Sequence, residues 1–213
     1  MLPNFVPAGT SVESFFEQVL PDAHRALVPA DASAGELAVG VHIEGAPLGS
    51  GYFCAIRGRE ISVKQMRDEE SAHLWLTVDA PGLAFFLDDL GGERRFAPSF
   101  VPAQGVKLIT DPRILKRLVQ ASGTIELRLL DLEIGRKIEP VGLRVSAAGG
   151  KKHGLKTSAA DAEIETKVSV FEKLLAGKLA PDEAIADSHV AVRGKKLVAM
   201  QFAFALAPFF PKP

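Results

Sequence analysis

FEKLLAGKLAPDEAIADSHVAVRGKKLVAMQFAF, residues 171–204, is the stretch on which the fold turns. Phe171, Leu174 and Leu175 fall at helical spacing and stop at Gly177, and Pro181 then opens a second short helix. Val190 and Val192 alternate as a short strand that turns at Gly194, and a helix-compatible run begins at Lys196. From Leu197 to Pro211 there is no charged residue. A membrane-spanning helix needs ~20 predominantly apolar residues. This run is shorter, carries Gln201 near its middle and meets Pro208 and Pro211 at its end, so it reads as a helix that does not span a bilayer. It is apolar on nearly every side and must be covered by protein or by ligand.

Upstream, TSVESFFEQVL suggests a helix over roughly 10–27, with Thr10 as N-cap, Phe15, Phe16, Val19 and Leu20 on one face, and Pro21 as the site of a kink or split. GELAVGVHIEG, GSGYFCAIRGREISVKQM and SAHLWLTVD alternate like strands and suggest an antiparallel meander that reverses at Arg57, Gly58 and Arg59. APGLAFFLDDLGG then reads as a short helix stopped by Gly91 and Gly92. GTIELRLLDLEIG, VGLRVSAAGGKKHGLK, AEIETKV and SVFEKLLAGK repeat this order of strands and helix. VKLITDPRILKRLV, from Val106, likewise lies against VAVRGKKLVAMQFA, from Val190. The boundary between the copies falls near Ala121, giving units 1–121 and 122–213.

Of the 213 residues 47% are hydrophobic, enough for a substantial core. Lys and Arg number 25 against 26 acids, so no global field favours nucleic acid. The single cysteine, Cys54, excludes an intramolecular disulfide, and the N-terminal residues do not have the pattern of a signal peptide, so the expected location is cytoplasmic.

The order of elements in 171–204 resembles the C-terminal signature of the sterol carrier protein type 2 family. Its marks here are Leu174, Leu175, Gly177, Lys178, Pro181, Ala184, Val190, Val192, Gly194 and the helix from Lys196. The resemblance implies an α+β fold of two tandem sterol-carrier-like units, each a mainly antiparallel sheet of about five strands with helices packed on one face. The first unit is the more divergent, with Asp89-Leu90-Gly91-Gly92 in place of the Leu-Leu-x-Gly pattern and Asp111-Pro112 where Gly194 makes the turn. The family further implies non-enzymatic binding or transfer of a hydrophobic small molecule of fatty acyl, sterol or isoprenoid type, in an apolar cavity between sheet and helices.

The expected lining of that cavity is Leu197, Met200, Phe202, Phe204 and Leu206 of the last helix with Phe171 and Leu175 of the earlier one. Phe204 is expected to be buried, so that an aspartate there would be a buried unpaired charge. Arg193, Lys195 and Lys196 are the expected contacts to an anionic headgroup or, transiently, to a membrane surface. The alternative is an interaction or accessory protein without a cavity that docks a protein partner, or a second copy as a homodimer, through the apolar C-terminal helix. His24, His42, His73, His153 and His189 show no metal-ligand spacing, and Gly45, Gly49 and Gly51 do not form a dinucleotide fingerprint. His42 and His73 are expected on the solvent face or at an edge, and His24, on the first helix, in a cap or at the surface, with a ligand headgroup as the alternative contact. No metal, cofactor or catalytic residue is expected.

Overall fold

The computed structural model describes residues 10–28, 36–44, 51–66, 70–79, 112–134, 137–156, 158–175 and 178–206. Alternation in LAVGVHIE produces strand β1, Leu37–Glu44, which turns Val39 and Val41 into the main core. Strand β2, Gly51–Arg57, pairs antiparallel with it, and strand β3, Glu60–Gln65, pairs antiparallel with β2. Their reversal runs through Gly58, which has a φ of 56°. The expected meander ends there, because strand β4, Leu74–Asp79, lies parallel to β1 with Val41 opposite Leu76. The crossover before β4 buries Met66 and Ala72 with Phe53 and Trp75 against the face opposite the main core, a gain unavailable to a plain hairpin. Trp75 lies over Gly40, where a Cβ would fall 2.2 Å from the ring, and its indole N–H donates to the His153 carbonyl at 2.7 Å.

Strands β5, Ser122–Ile134, and β6, Lys137–Ala148, form a long antiparallel hairpin. Strand β7, Ala162–Thr166, returns parallel to β5, and strand β8, Val190–Gly194, pairs antiparallel with β7. Each half thus builds a hairpin and returns a later strand parallel to the first. The two sheets of about five strands expected from the sequence are instead one eight-stranded sheet in the order β3-β2-β1-β4-β6-β5-β7-β8. The junction is antiparallel pairing of β4 with β6, which satisfies backbone groups that two separate sheets would leave on open edges.

Helix α1 runs through Val12–Ser14, a π-helical stretch Phe15–Val19, and Leu20–Leu27. Ser11, not Thr10, caps it, its hydroxyl accepting from the Ser14 N–H. Pro21 does not split the helix: it lacks an N–H, and the π turn, in which the Leu20 N–H reaches the Phe15 carbonyl, absorbs the register change. Phe16 stacks on Tyr52 with ring centroids 4.2 Å apart. His24 is fully buried rather than at the surface, with Nε2–H donating to the Gly58 carbonyl at 2.9 Å. This fastens α1 to the β2–β3 turn.

Helix α2, Pro112–Gln120, turns Ile114, Leu115, Leu118 and Val119 into the core. Helices α3, Val168–Leu175, α4, Pro181–Ala186, and α5, Lys196–Leu206, follow the predicted order, with α3 capped by Asp131 accepting from the Val168 N–H at 2.7 Å. The expected helix at 81–92 and short strand from Val106 lie outside the described residues.

Candidate functional site

Helix α5 meets the sheet through Ala199, Phe202 and Ala205, spaced three residues apart and all buried. Phe202 is fully buried and lines an apolar cavity of about 70 Å³. Leu115 and Leu118 of α2 form more of its wall on the helix side, and Leu74, Leu76, Ile125 and Val145 are among its sheet residues. Five of the ten lining residues come from the first part of the chain, outside the lining expected from the sequence. Their signal was present in α2, where Ile114, Leu115, Leu118 and Val119 repeat on one helical face.

The other residues proposed for the lining are dispersed. Leu197, Met200 and Phe204 point outward, 68%, 52% and 69% exposed, and form an apolar stripe along the outer side of α5. The expectation that Phe204 is buried is therefore corrected: with Ala199, Phe202 and Ala205 on the inner face, Phe204 falls on the opposite side of the helix. Phe171 is half-buried on α3 and is not part of the cavity wall. Leu175 and Leu206 end their helices, and their side chains lie outside the described residues.

The three basic residues around the start of α5 differ in their environment. Lys195 Nζ donates to Asp161 Oδ1 at 2.7 Å, and the Lys195 N–H donates to the Asp161 carbonyl at 2.8 Å. Asp161 Oδ2 accepts from the Thr124 N–H, so this carboxylate joins the start of β5 to the start of α5. The Lys195 ammonium, and then the Thr124 N–H, hold the Asp161 carboxyl below its usual range. The turn requires Gly194, whose φ is 78° and where a Cβ would fall 2.4 Å from the Asp161 carbonyl oxygen. Arg193 pairs with Glu165 at 2.9 Å across β8 and β7. Lys196 is exposed and makes no ion pair among the described residues. All three heads reach solvent beside the apolar stripe.

Burial pushes the Cys54 thiol up to about 12, so it stays protonated and inert. His42 and His73 are half-buried rather than on the solvent face, because β1 is a central strand and the residues before β4 pack beside it. His73 Nδ1 accepts from the Ala38 N–H at 3.0 Å. Among the described residues no group of three His, Cys, Asp or Glu side chains could hold a metal ion, and no helix is long and apolar enough to cross a membrane.

A helix-covered sheet with an apolar gap beneath its last helix is the setting for the comparisons with known proteins. Residues 106–207 match the SCP-2 sterol transfer family. The SCP-2 match begins ahead of the boundary placed near Ala121, so it takes in α2 together with β5 to β8 and α3 to α5. Two solved structures are similar at a TM-score of 0.35. Sterol carrier protein domain 2 of Helicoverpa armigera is 16% identical over 50% of this chain and 80% of that one. A conserved hypothetical protein of Thermus thermophilus, described as possibly a sterol carrier protein, is 18% identical over 57% of this chain and 94% of that one. No curated protein matches the chain.

Proposed function

We propose that the chain is a non-enzymatic carrier that binds and transfers a hydrophobic small molecule, of fatty acyl, sterol or isoprenoid type, between the sheet and helices α2 and α5. The observation that carries this reading is the wholly apolar cavity with Phe202 at its helix side, and the sterol transfer family matched over residues 106–207 supports it. At ≈70 Å³ the gap holds about two water volumes of ~30 Å³ each, well below the ~300–1,000 Å³ of a ligand pocket. Helix α5 is therefore the moving part. Among its described side chains it bears on the core through Phe202, Ala199, Ala205 and the partly buried Val198, so Phe202 is the one ring whose withdrawal opens the space to a ligand tail.

In this reading Leu206, Leu175 and Phe171 extend the opened lining, while Leu197, Met200 and Phe204 touch the membrane from which the ligand is taken. Arg193, Lys195 and Lys196 lie beside that stripe and favour an anionic surface, at ~1 kcal/mol for each basic residue, which keeps contact reversible. The carrier works in the cytoplasm without a metal, cofactor or nucleic acid. It consists of two tandem units, 1–121 and 122–213, fused edge to edge; the repeated hairpin and parallel return strand support that division.

Titration with a pyrene-labelled fatty acid tests the reading. Saturable uptake near one per chain is expected, with Phe202→Ala binding more tightly because the plug is gone; no saturable uptake by either form refutes it. The exposed stripe on α5 favours a second reading, in which the protein docks a partner or a second copy through this helix. A mass that rises with concentration and falls back in Leu197→Ser/Phe204→Ser would support that alternative.

A further inference from the structure

Helix α5 is fastened to the sheet at its N-terminal end by Asp161, the residue before β7, which holds two segments at once. The Asp161 N–H donates to the Thr124 carbonyl at 2.8 Å, and its Oδ2 accepts from the Thr124 N–H at 2.9 Å, so the residue is fixed to β5. Its carbonyl accepts from the Lys195 N–H at 2.8 Å, and its Oδ1 from Lys195 Nζ at 2.7 Å. Two glycines make this closeness possible. A Cβ on Gly194 would fall 2.4 Å from the Asp161 carbonyl oxygen, and one on Gly123 would fall 2.9 Å from a Val198 methyl. Farther along the helix Gln201, the polar residue in the middle of the apolar run, accepts through Oε1 from the Ser122 N–H at 3.2 Å. The start of β5, Ser122 to Thr124, is thus the seat on which the first half of α5 rests.

Of these ties the ion pair is the one that answers to outside charge. The Lys195 side chain is 71% exposed and that of Asp161 30%. A pair this open to water is weakly held, and a basic side chain gains a comparable amount at an anionic lipid surface. The two partners respond to such a surface in opposite senses: it attracts the Lys195 ammonium and repels the Asp161 carboxylate. Lys156, the other cation that acts on Asp161, lies in the β6–β7 connection and not on α5, so part of the balancing charge stays behind when Lys195 leaves. Arg193 and Lys196 are drawn the same way as Lys195, and exposed Leu197, Met200 and Phe204 lie on the outward side of the same helix. Charge and apolar surface together pull α5 toward the membrane, while Asp161 remains with β5.

We propose, resting on the carrier reading, that the Asp161–Lys195 pair is a latch that an anionic membrane surface opens. Asp161 is a positioning residue: away from a membrane it seats α5, and with it Phe202, over the apolar cavity. At a surface rich in anionic headgroups Lys195 exchanges the carboxylate for lipid phosphates, the start of α5 leaves β5, and Phe202 is free to withdraw. The gate opens where the ligand is taken up or delivered and stays shut elsewhere.

Amide hydrogen exchange of the ligand-free full chain tests the latch without any cargo. Vesicles of phosphatidylcholine are compared with the same vesicles containing phosphatidylglycerol, and with phosphatidylcholine vesicles in the presence of inorganic phosphate. Exchange at the Ser122 and Lys195 amides should be about fivefold faster with phosphatidylglycerol than with phosphatidylcholine alone, the ratio one basic residue gains at an anionic surface. Phosphate should leave it unchanged, because a free anion offers the apolar stripe nothing. In Asp161→Asn the amide oxygen still accepts from Thr124 but no longer attracts the ammonium, so exchange should already be fast with phosphatidylcholine and gain little from phosphatidylglycerol. Should that variant fold poorly, Lys195→Gln breaks the pair from its other side and should lose the lipid response as well. Equal wild-type exchange with both lipids, a phosphate effect as large as that of phosphatidylglycerol, or a full lipid response in either variant overturns the proposal. Release of pre-bound pyrene-labelled fatty acid, followed in the same mixtures, should accelerate together with exchange; release that does not accelerate overturns the gate. Exchange that responds to phosphatidylglycerol in a protein that takes up no fatty acid would refute the carrier reading and keep the latch.

Discussion

Removing water from one imidazole makes the anchoring of α1 sensitive to acid. His24 is fully buried, and burial lowers its pKa below 6.5 more strongly than the Gly58 carbonyl raises it. Its Nδ1 has no partner in the described surroundings, so protonation there puts an uncompensated charge into the core. The unfolded chain binds this proton near pH 6.5 and the folded chain only at lower pH, so the stabilisation is full above pH 6.5 and is lost as pH falls toward the depressed folded value. His73 adds in the same direction, lowered by burial and then by Lys152 against the opposing pull of Glu36. Thermal unfolding should therefore give a lower midpoint at mildly acid pH than at neutral pH, and His24→Leu should reduce that slope, leaving the share due to His73. An unchanged slope in the variant would mean that His24 titrates no differently in the folded and unfolded chain. None of this was legible in the sequence: a histidine three residues after Pro21 looks like a surface residue until the β2–β3 turn arrives beneath it.

At the scale of elements, α5 has two faces that its composition conceals. Leu197, Met200, Phe202 and Phe204 look alike in a run without charges, but only Phe202 lies on the row of Ala199 and Ala205 that meets the sheet. Phe202→Ala should cost ~3–5 kcal/mol, the usual penalty for truncating a fully buried aromatic ring. Phe204→Asp should cost no more than about 1 kcal/mol, the penalty for an exposed negative charge in the last turn of a helix. Denaturant unfolding of the two variants measures the difference; equal losses would mean that the helix is rotated from the orientation described. The existence and order of β1 to β8 and of α2 to α5 could be read from apolar periodicity and from Pro and Gly punctuation, because those signals are local. The partner of each strand could not. β4 joins β1 in parallel and β6 in antiparallel, and nothing inside SAHLWLTVD encodes that choice. The same limit hid the clasp of Asp161, whose partners Thr124 and Lys195 come from distant segments and meet only once the register is set.

For the whole molecule, the consequence of the β4–β6 junction is that both halves share one sheet and one core. The apolar cavity lies across that junction, with Leu74 and Leu76 from one side and Ile125 and Val145 from the other. A ligand held there would draw on both halves, although the SCP-2 match reaches only from residue 106 to 207. The order of the elements could be read along the chain; their joining into one sheet depends on edge-to-edge pairing between distant segments, which periodicity does not report. The carrier reading then stands or falls on the contents of the molecule itself. Native mass spectrometry of the freshly purified full chain, followed by organic extraction and identification of what is released, tests it most directly. A carrier should bring with it a discrete co-purifying hydrophobic molecule at close to one per chain, lost on extraction. A mass equal to that of the bare polypeptide, together with no uptake of added fatty acid, sterol or isoprenoid, would contradict the carrier reading.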